Sequence, residues 1–203
     1  MISKADNLPK VLLFDLGGVI VPSIGMEVLA EYNDITRAEV SDRFDASEVY
    51  RAFERGRASE ADFIAELPHM FDLPDGDIIE LWNSWVLPPY PGTLEALATL
   101  KQNFTVACLS NTNSTHWAHL NRMFDLEATF EFAFASQNIH EAKPDAMSYK
   151  KPLKIMGVAP EDVWFFEDTA ANIRAARAVG ITTFEVDRAV GVLPQLRTLN
   201  LIA

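Results

Sequence analysis

Five short segments rich in β-branched and aromatic residues recur along the chain: 10–15 (KVLLFD), 104–109 (FTVACL), 131–135 (EFAFA), 162–167 (DVWFFE) and 182–186 (TTFEV). Helical patterns separate most of them, and this alternation predicts an α/β fold built on a parallel sheet. One long interval, about 23–90, breaks the rhythm. It contains no convincing strand and reads as several helices, with Thr36 and Glu39 spaced as a capping box and Ser59 and Asp62 as a weaker one. Gly56 punctuates it after AFERG, and PPYPG at 88–92 returns the chain to the sheet. Residues 1–22 and 91–203 are therefore assigned to the sheet core, and 23–90 to an all-helical insertion.

At 203 residues and 49% hydrophobic content, the chain can bury a substantial core. The formal charge is −12, from 17 Lys plus Arg against 29 Asp plus Glu, and no basic patch is visible. Nucleic acid is excluded as a partner on that ground, whereas acidic groups gathered at one site could bind a divalent cation. No apolar run approaches the roughly 18 residues of a membrane span, and MISKADNLPK lacks the apolar stretch of a secretory signal. No membrane partner and a cytoplasmic location are the expectation. Cys108 is the sole cysteine, which excludes an intrachain disulfide and a multi-cysteine metal site; inside FTVACLS it reads as a small core residue.

In an open parallel sheet, ligands sit beyond the carboxyl ends of the strands. Asp15 closes the first strand, Ser110 and Asn111 the second, and Glu167 and Asp168 the WFFED strand, while Lys143 lies in HEAKPD after the EFAFA strand. Taken singly, each has an ordinary reading as a helix cap, a turn former or an exposed turn. Their order and chemistry as a set point to a shared site.

FDLGGV, LSNTN, KPD and FFEDTAAN, in this order and with room for a helical insertion between the first two, resemble the four motifs of the haloacid dehalogenase-like hydrolase superfamily. The resemblance spans nearly the whole chain. It implies a Rossmann-like sheet core with a helical cap of the C1 type, similar to sugar phosphatases and to the N-terminal phosphatase of epoxide hydrolases. It further implies Asp15 as a nucleophile forming an aspartyl-phosphate, and Lys143 and the Ser110 hydroxyl on the substrate phosphate. The N–H groups of Leu16, Gly17 and Asn111 would join them. Mg²⁺ is the implied cofactor, held by Asp15, the Gly17 carbonyl and Asp168, with Glu167 ligating directly or through water. These parts are what phosphoryl transfer to water needs: a nucleophile, charge neutralisation and positioning. The expected partner is a small phosphorylated metabolite, such as a sugar 1-phosphate; oligomeric state is not legible.

The departure lies at Gly17, where phosphatases of this kind carry a second Asp. Glycine keeps the metal-binding carbonyl but removes the general acid/base. Three resolutions follow: a substrate with a good leaving group, replacement by another group such as Glu54 or His116, or slow or absent catalysis. Glu54 and Arg55 lie in the ERG turn, which resembles the cap segment that dips toward the site in relatives, and Arg55 could read a substrate hydroxyl or phosphate. His116, in NSTHWAHLNRMF, has the default reading of a helix-surface histidine. Two alternatives remain. A 2-haloacid dehalogenase also lacks the second Asp, but needs no acidic pair like Glu167 and Asp168; a non-catalytic binding or regulatory protein would explain the missing acid. Trp82, Trp85 and Tyr90 could line a pocket or a subunit contact. Ile78, Leu81, Trp82, Trp85 and Val86 fall at helical spacing, however, as a buried face does.

Overall fold

The computed structural model describes residues 8–74 and 76–203. Five parallel strands, β1 (Val11–Phe14), β2 (Thr105–Ser110), β3 (Phe132–Ala135), β4 (Val163–Glu167) and β5 (Thr182–Glu185), form one sheet in the order β3-β2-β1-β4-β5. All five segments expected as strands are strands, with ends displaced by a residue or less. Asp15 is one such displacement: it follows β1 and is not its last residue.

β1 is central and wholly buried, so its apolar run is continuous and not alternating. Its side chains still divide by strand period. Leu12 and Phe14 enter one core layer with Val106, Cys108 and Phe166; Val11 and Leu13 enter the other with Ala107, Leu109 and Phe165. The first layer is closed by helix α6 (Thr93–Leu100) and the second by α10 (Ala146–Met156) and α11 (Ala170–Ala178). Cys108 is fully buried, as expected of a core residue. From β1 the chain runs outward through β2 and β3 and then crosses to β4 on the other side. The crevice beyond the carboxyl ends of β1 and β4 is thus the switch point where such sheets bind ligands.

Between β1 and α6 lie five helices, α1 (Gly25–Tyr32), α2 (Arg37–Ala46), α3 (Glu48–Glu54), α4 (Glu60–Met70) and α5 (Ile78–Ser84). They enclose a core of their own, in which Phe44, Phe53, Phe63, Phe71, Trp82 and Trp85 are buried. Both capping boxes are complete: Thr36 with Glu39 opens α2, and Ser59 with Asp62 opens α4. The chain enters and leaves this helical segment side by side, Ile24 N–H donating to the Trp85 carbonyl and Leu87 N–H to that of Pro22. Trp82, Trp85 and Val86 are buried as the helical spacing predicts, although α5 itself ends at Ser84.

Candidate active site

β1, β2 and β4 run in register, so their carboxyl ends deliver Asp15, Ser110 and Glu167 to one edge of the sheet. The segment after β3 brings Lys143 to the same place. Its ammonium Nζ lies 3.0 Å from Asp15 Oδ2 and 2.7 Å from Glu167 Oε2, with 1% of the side chain exposed. Asp168 completes the group: one carboxylate oxygen from each of Asp15, Glu167 and Asp168 lies within 4.8 Å of the others. Gly18 permits this close approach. Its φ is +77°, and a Cβ there would come within 2.4 Å of Asp168 Oδ2.

The carboxylates differ in what they have left to give. Glu167 is saturated, since Oε1 accepts from the N–H groups of Asp168 and Thr169, while Oε2 accepts from Lys143 and the Asn172 amide. Asp15 Oδ1 accepts from the Leu16 N–H at 2.7 Å, and Oδ2 faces Lys143. Asp168 meets the Thr169 hydroxyl at 3.2 Å and, more distantly, Arg188 at 3.8 Å. Asn111 holds Lys143 from the other side: its amide donates to the Lys143 carbonyl and its Oδ1 accepts the Lys143 N–H, each at 2.8 Å.

One lysine against three acidic groups leaves a charge imbalance. Burial, reinforced by the neighbouring Glu167 charge, raises the Asp15 carboxyl to about 8. Asp168 is raised to about 6, again mainly by burial. Burial opposes ionisation of Glu167 as well, yet Lys143 holds it below its ordinary value. Lys143 itself is held above its ordinary value by Asp15 and Glu167, against its own burial. A hard cation accepting oxygen ligands from Asp15 and Asp168 would remove the imbalance, so the donor set fits a metal such as Mg²⁺.

A pocket of about 140 Å³ among the helices of the insertion reaches Asn111 and Thr112 after β2 and is lined by Phe44, Tyr50, Trp82 and Trp85 together with Glu54, Asn113 and His116. A narrower cavity of about 60 Å³, bounded by Leu16, Gly17 and Ser110, shares Ser23, Asn111, Thr112 and His116 with it. His116 departs from the reading as a free surface histidine. Its ring stacks on Trp82 at 4.7 Å, and its Nε2 lies 2.9 Å from the Trp82 carbonyl, because α5 packs on α7 (Ser114–Met123), the helix that carries it. Burial lowers it to about 4, so it is neutral and donates from Nε2. Arg55 does not line the pocket; its guanidinium reaches Asp145 at 2.9 Å. Three residues near the cluster had not been singled out by sequence reading. Asn172 was legible within FFEDTAAN, one helical turn beyond Asp168, whereas Ser136 and Arg188 lie outside every motif.

Fold and site together define a hydrolase of the α/β class. The model of the haloacid dehalogenase-like hydrolases matches residues 9–180, and the chain belongs to that family. The sesquiterpene phosphatase of Aspergillus oryzae is 27% identical over 197 residues, covering 94% of this chain and 96% of that protein. A phosphorylated carbohydrates phosphatase from Thermotoga maritima is 31% identical over 114 residues, covering 56% of this chain and 50% of that one. Among solved structures, a family enzyme from Bacteroides thetaiotaomicron in complex with magnesium and inorganic phosphate superposes with a TM-score of 0.73. It is 26% identical and covers 87% of this chain and 93% of that one. The chain is thus a hydrolase, and several of its relatives are named phosphatases. Among the described residues no helix is long and apolar enough to cross a membrane.

Proposed function

We propose that this hydrolase is a Mg²⁺-dependent phosphomonoesterase that works through an aspartyl-phosphate on Asp15. The observation that carries the reading is the buried Asp15–Lys143 pair with Asp168 beside it, an anionic nucleophile set among groups able to neutralise a phosphate. The helices of 23–90 then act as a cap over the site.

Asp15 and Asp168, with the Gly17 carbonyl, would hold the metal. Bound there, Mg²⁺ supplies positive charge that lets an anionic phosphate approach an anionic nucleophile. Asp15 is oriented by the Leu16 N–H and by Lys143, and its carboxylate attacks phosphorus. Lys143, the Ser110 hydroxyl and the N–H groups of Gly17 and Asn111 take up charge on the phosphoryl oxygens. Glu167, already saturated, positions Lys143 together with Asn172 and Asn111.

The substrate is a small phosphorylated metabolite. Aromatic faces beside Glu54 and Asn113 suit a compact leaving group with both apolar and hydroxyl surface, such as a sugar ring. At about 140 Å³ the pocket is smaller than the roughly 300–1,000 Å³ of sites for drug-sized ligands. A metal-free dehalogenase would leave Lys143 as the one close cation for three clustered carboxylates. The discriminating assay is a panel of phosphate esters and 2-haloacids, each with Mg²⁺ and with chelator. Phosphate release that needs the metal, with no halide release, is expected; metal-independent turnover or halide release contradicts the reading.

A thermal measurement probes the metal without activity. A carboxyl raised in the folded state binds protons more tightly there than when unfolded, so it weakens the fold as pH rises between its unfolded and folded values. For Asp15 that interval runs from 3.8 to about 8, and for Asp168 from 3.8 to about 6. Both must be ionised to hold Mg²⁺. The rise in Tm on adding Mg²⁺ is therefore expected to be larger at pH 8 than at about pH 5.5. An equal or larger rise in acid contradicts it.

A further inference from the structure

With glycine at position 17, no carboxyl stands two residues after Asp15 to act as acid and base, and one side chain in the adjoining pocket has the chemistry to serve. Glu54 ends α3 with 15% of its side chain exposed and lines the pocket together with Asn111, Thr112 and Asn113, which follow β2. Its place is fixed by the turn that bears it. The Ser136 hydroxyl donates to the Glu54 carbonyl at 2.7 Å, and Arg55 pairs with Asp145. His140 Nδ1 meets the Arg55 carbonyl at 2.9 Å, and Arg57 donates to the His140 carbonyl at 3.0 Å. Gly56 has a φ of +65° and lies so close to the Gln137 carbonyl that a Cβ would approach it to 2.4 Å. Every one of these contacts is to residues 136–145, the segment that carries Lys143. The turn and the lysine are one unit.

We propose that Glu54 is the catalytic acid and base that replaces the one missing at Gly17, a reading that rests on the phosphatase assignment above. In the first half-reaction an Asp15 oxygen bonds to phosphorus, the bond from phosphorus to the leaving oxygen breaks, and the Glu54 carboxyl gives that oxygen its proton. In the second, water bonds to phosphorus, its proton passes to the Glu54 carboxylate, and the bond between phosphorus and Asp15 breaks. Glu54 ends protonated and Asp15 ends free.

The surroundings agree with this role. The groups facing Glu54 are Tyr50 on its own helix, Arg55 after that helix, Asp45 on α2 and Lys143, while His116 across the pocket is neutral. Burial outweighs the two cations and raises the carboxyl to about 7, where it can both give and take a proton. Lys143 thus touches Asp15 and acts electrostatically on Glu54.

The test compares p-nitrophenyl phosphate, whose leaving group needs little protonation, with an alkyl phosphate such as glucose 6-phosphate, both with Mg²⁺. Glu54→Gln is expected to lower kcat/KM for the alkyl ester by about 10²-fold or more and for the aryl ester by less than about tenfold. The parent's fall in kcat/KM for the alkyl ester above about pH 7 should vanish in Glu54→Gln and persist in Glu54→Asp. Gly17→Asp added to Glu54→Gln should restore the alkyl activity. Gly17 lies outside the left-handed region, and a Cβ there meets only Ser23 Cβ, at 3.6 Å, so the backbone accepts a side chain at this position. Equal losses on both esters, or no loss, would overturn the role of Glu54 while leaving the phosphatase assignment intact. Undiminished turnover by Asp15→Asn would instead overturn that assignment.

Discussion

Asp15→Asn is expected to abolish phosphate release, by on the order of 10⁴-fold or more, since on the proposed mechanism the nucleophile and a metal ligand are lost together. The same substitution should leave the metal-free protein at least as heat-stable as the parent at pH 8. The asymmetry follows from the charge at the site. Asp15 is buried beside Glu167, and its carboxyl, raised to about 8, titrates far above an ordinary aspartate. Its ionised form is a cost to the fold that a neutral amide of the same shape does not carry. Lys143 keeps its shorter contact with Glu167 in the variant. Steady-state kinetics with Mg²⁺ and thermal melts in chelator check both halves. A variant with substantial turnover, or one several degrees less stable than the parent at pH 8, contradicts the account.

Lys143→Met is expected to fail in both respects. Methionine fills much of the same volume, but Asp15 and Glu167 then face each other without their shared cation. Glu167 is fully buried and would keep only the two backbone N–H groups and the Asn172 amide as donors. Removing one partner of a buried ion pair costs about 3–5 kcal/mol. Mg²⁺ should recover only part of this, because the metal as proposed would engage Asp15 and Asp168 and leave Glu167 without a cation. Denaturant melts at neutral pH measure the stability, and kcat/KM the loss of charge at the phosphate. A Lys143→Met protein within about 1 kcal/mol of the parent would show that the lysine is not the counterion to this cluster.

How much of this was legible beforehand follows from what a one-dimensional pattern encodes. A parallel sheet puts all its strand carboxyl ends on one edge, so Asp15, Ser110 and Glu167 could be grouped once the strands were recognised. The capping boxes and the buried face of Trp82 and Trp85 are likewise local signals. Saturation of Glu167 was not legible, because it depends on two backbone N–H groups at the start of α11 and on Asn172 within it. The reciprocal bonds between Asn111 and Lys143 join residues far apart in sequence whose meeting only the fold decides. His116 sits on a helix pattern that looked exposed until α5 covered it. Arg55 and Glu54, adjacent in sequence at the end of α3, keep a 3.9 Å contact with each other, while Arg55 pairs more closely with Asp145 and Glu54 lines the pocket.

The most direct measurement is a chemical trap for the covalent intermediate. The protein with Mg²⁺ is mixed with excess phosphate ester, quenched within a turnover and reduced with borohydride, which converts an aspartyl-phosphate to homoserine, and the residue at each position is read by peptide mass spectrometry. Homoserine is expected at position 15 in the parent, and none in Asp15→Asn. Turnover of the ester without modification at position 15, or with modification of a different carboxylate, would contradict the proposed mechanism.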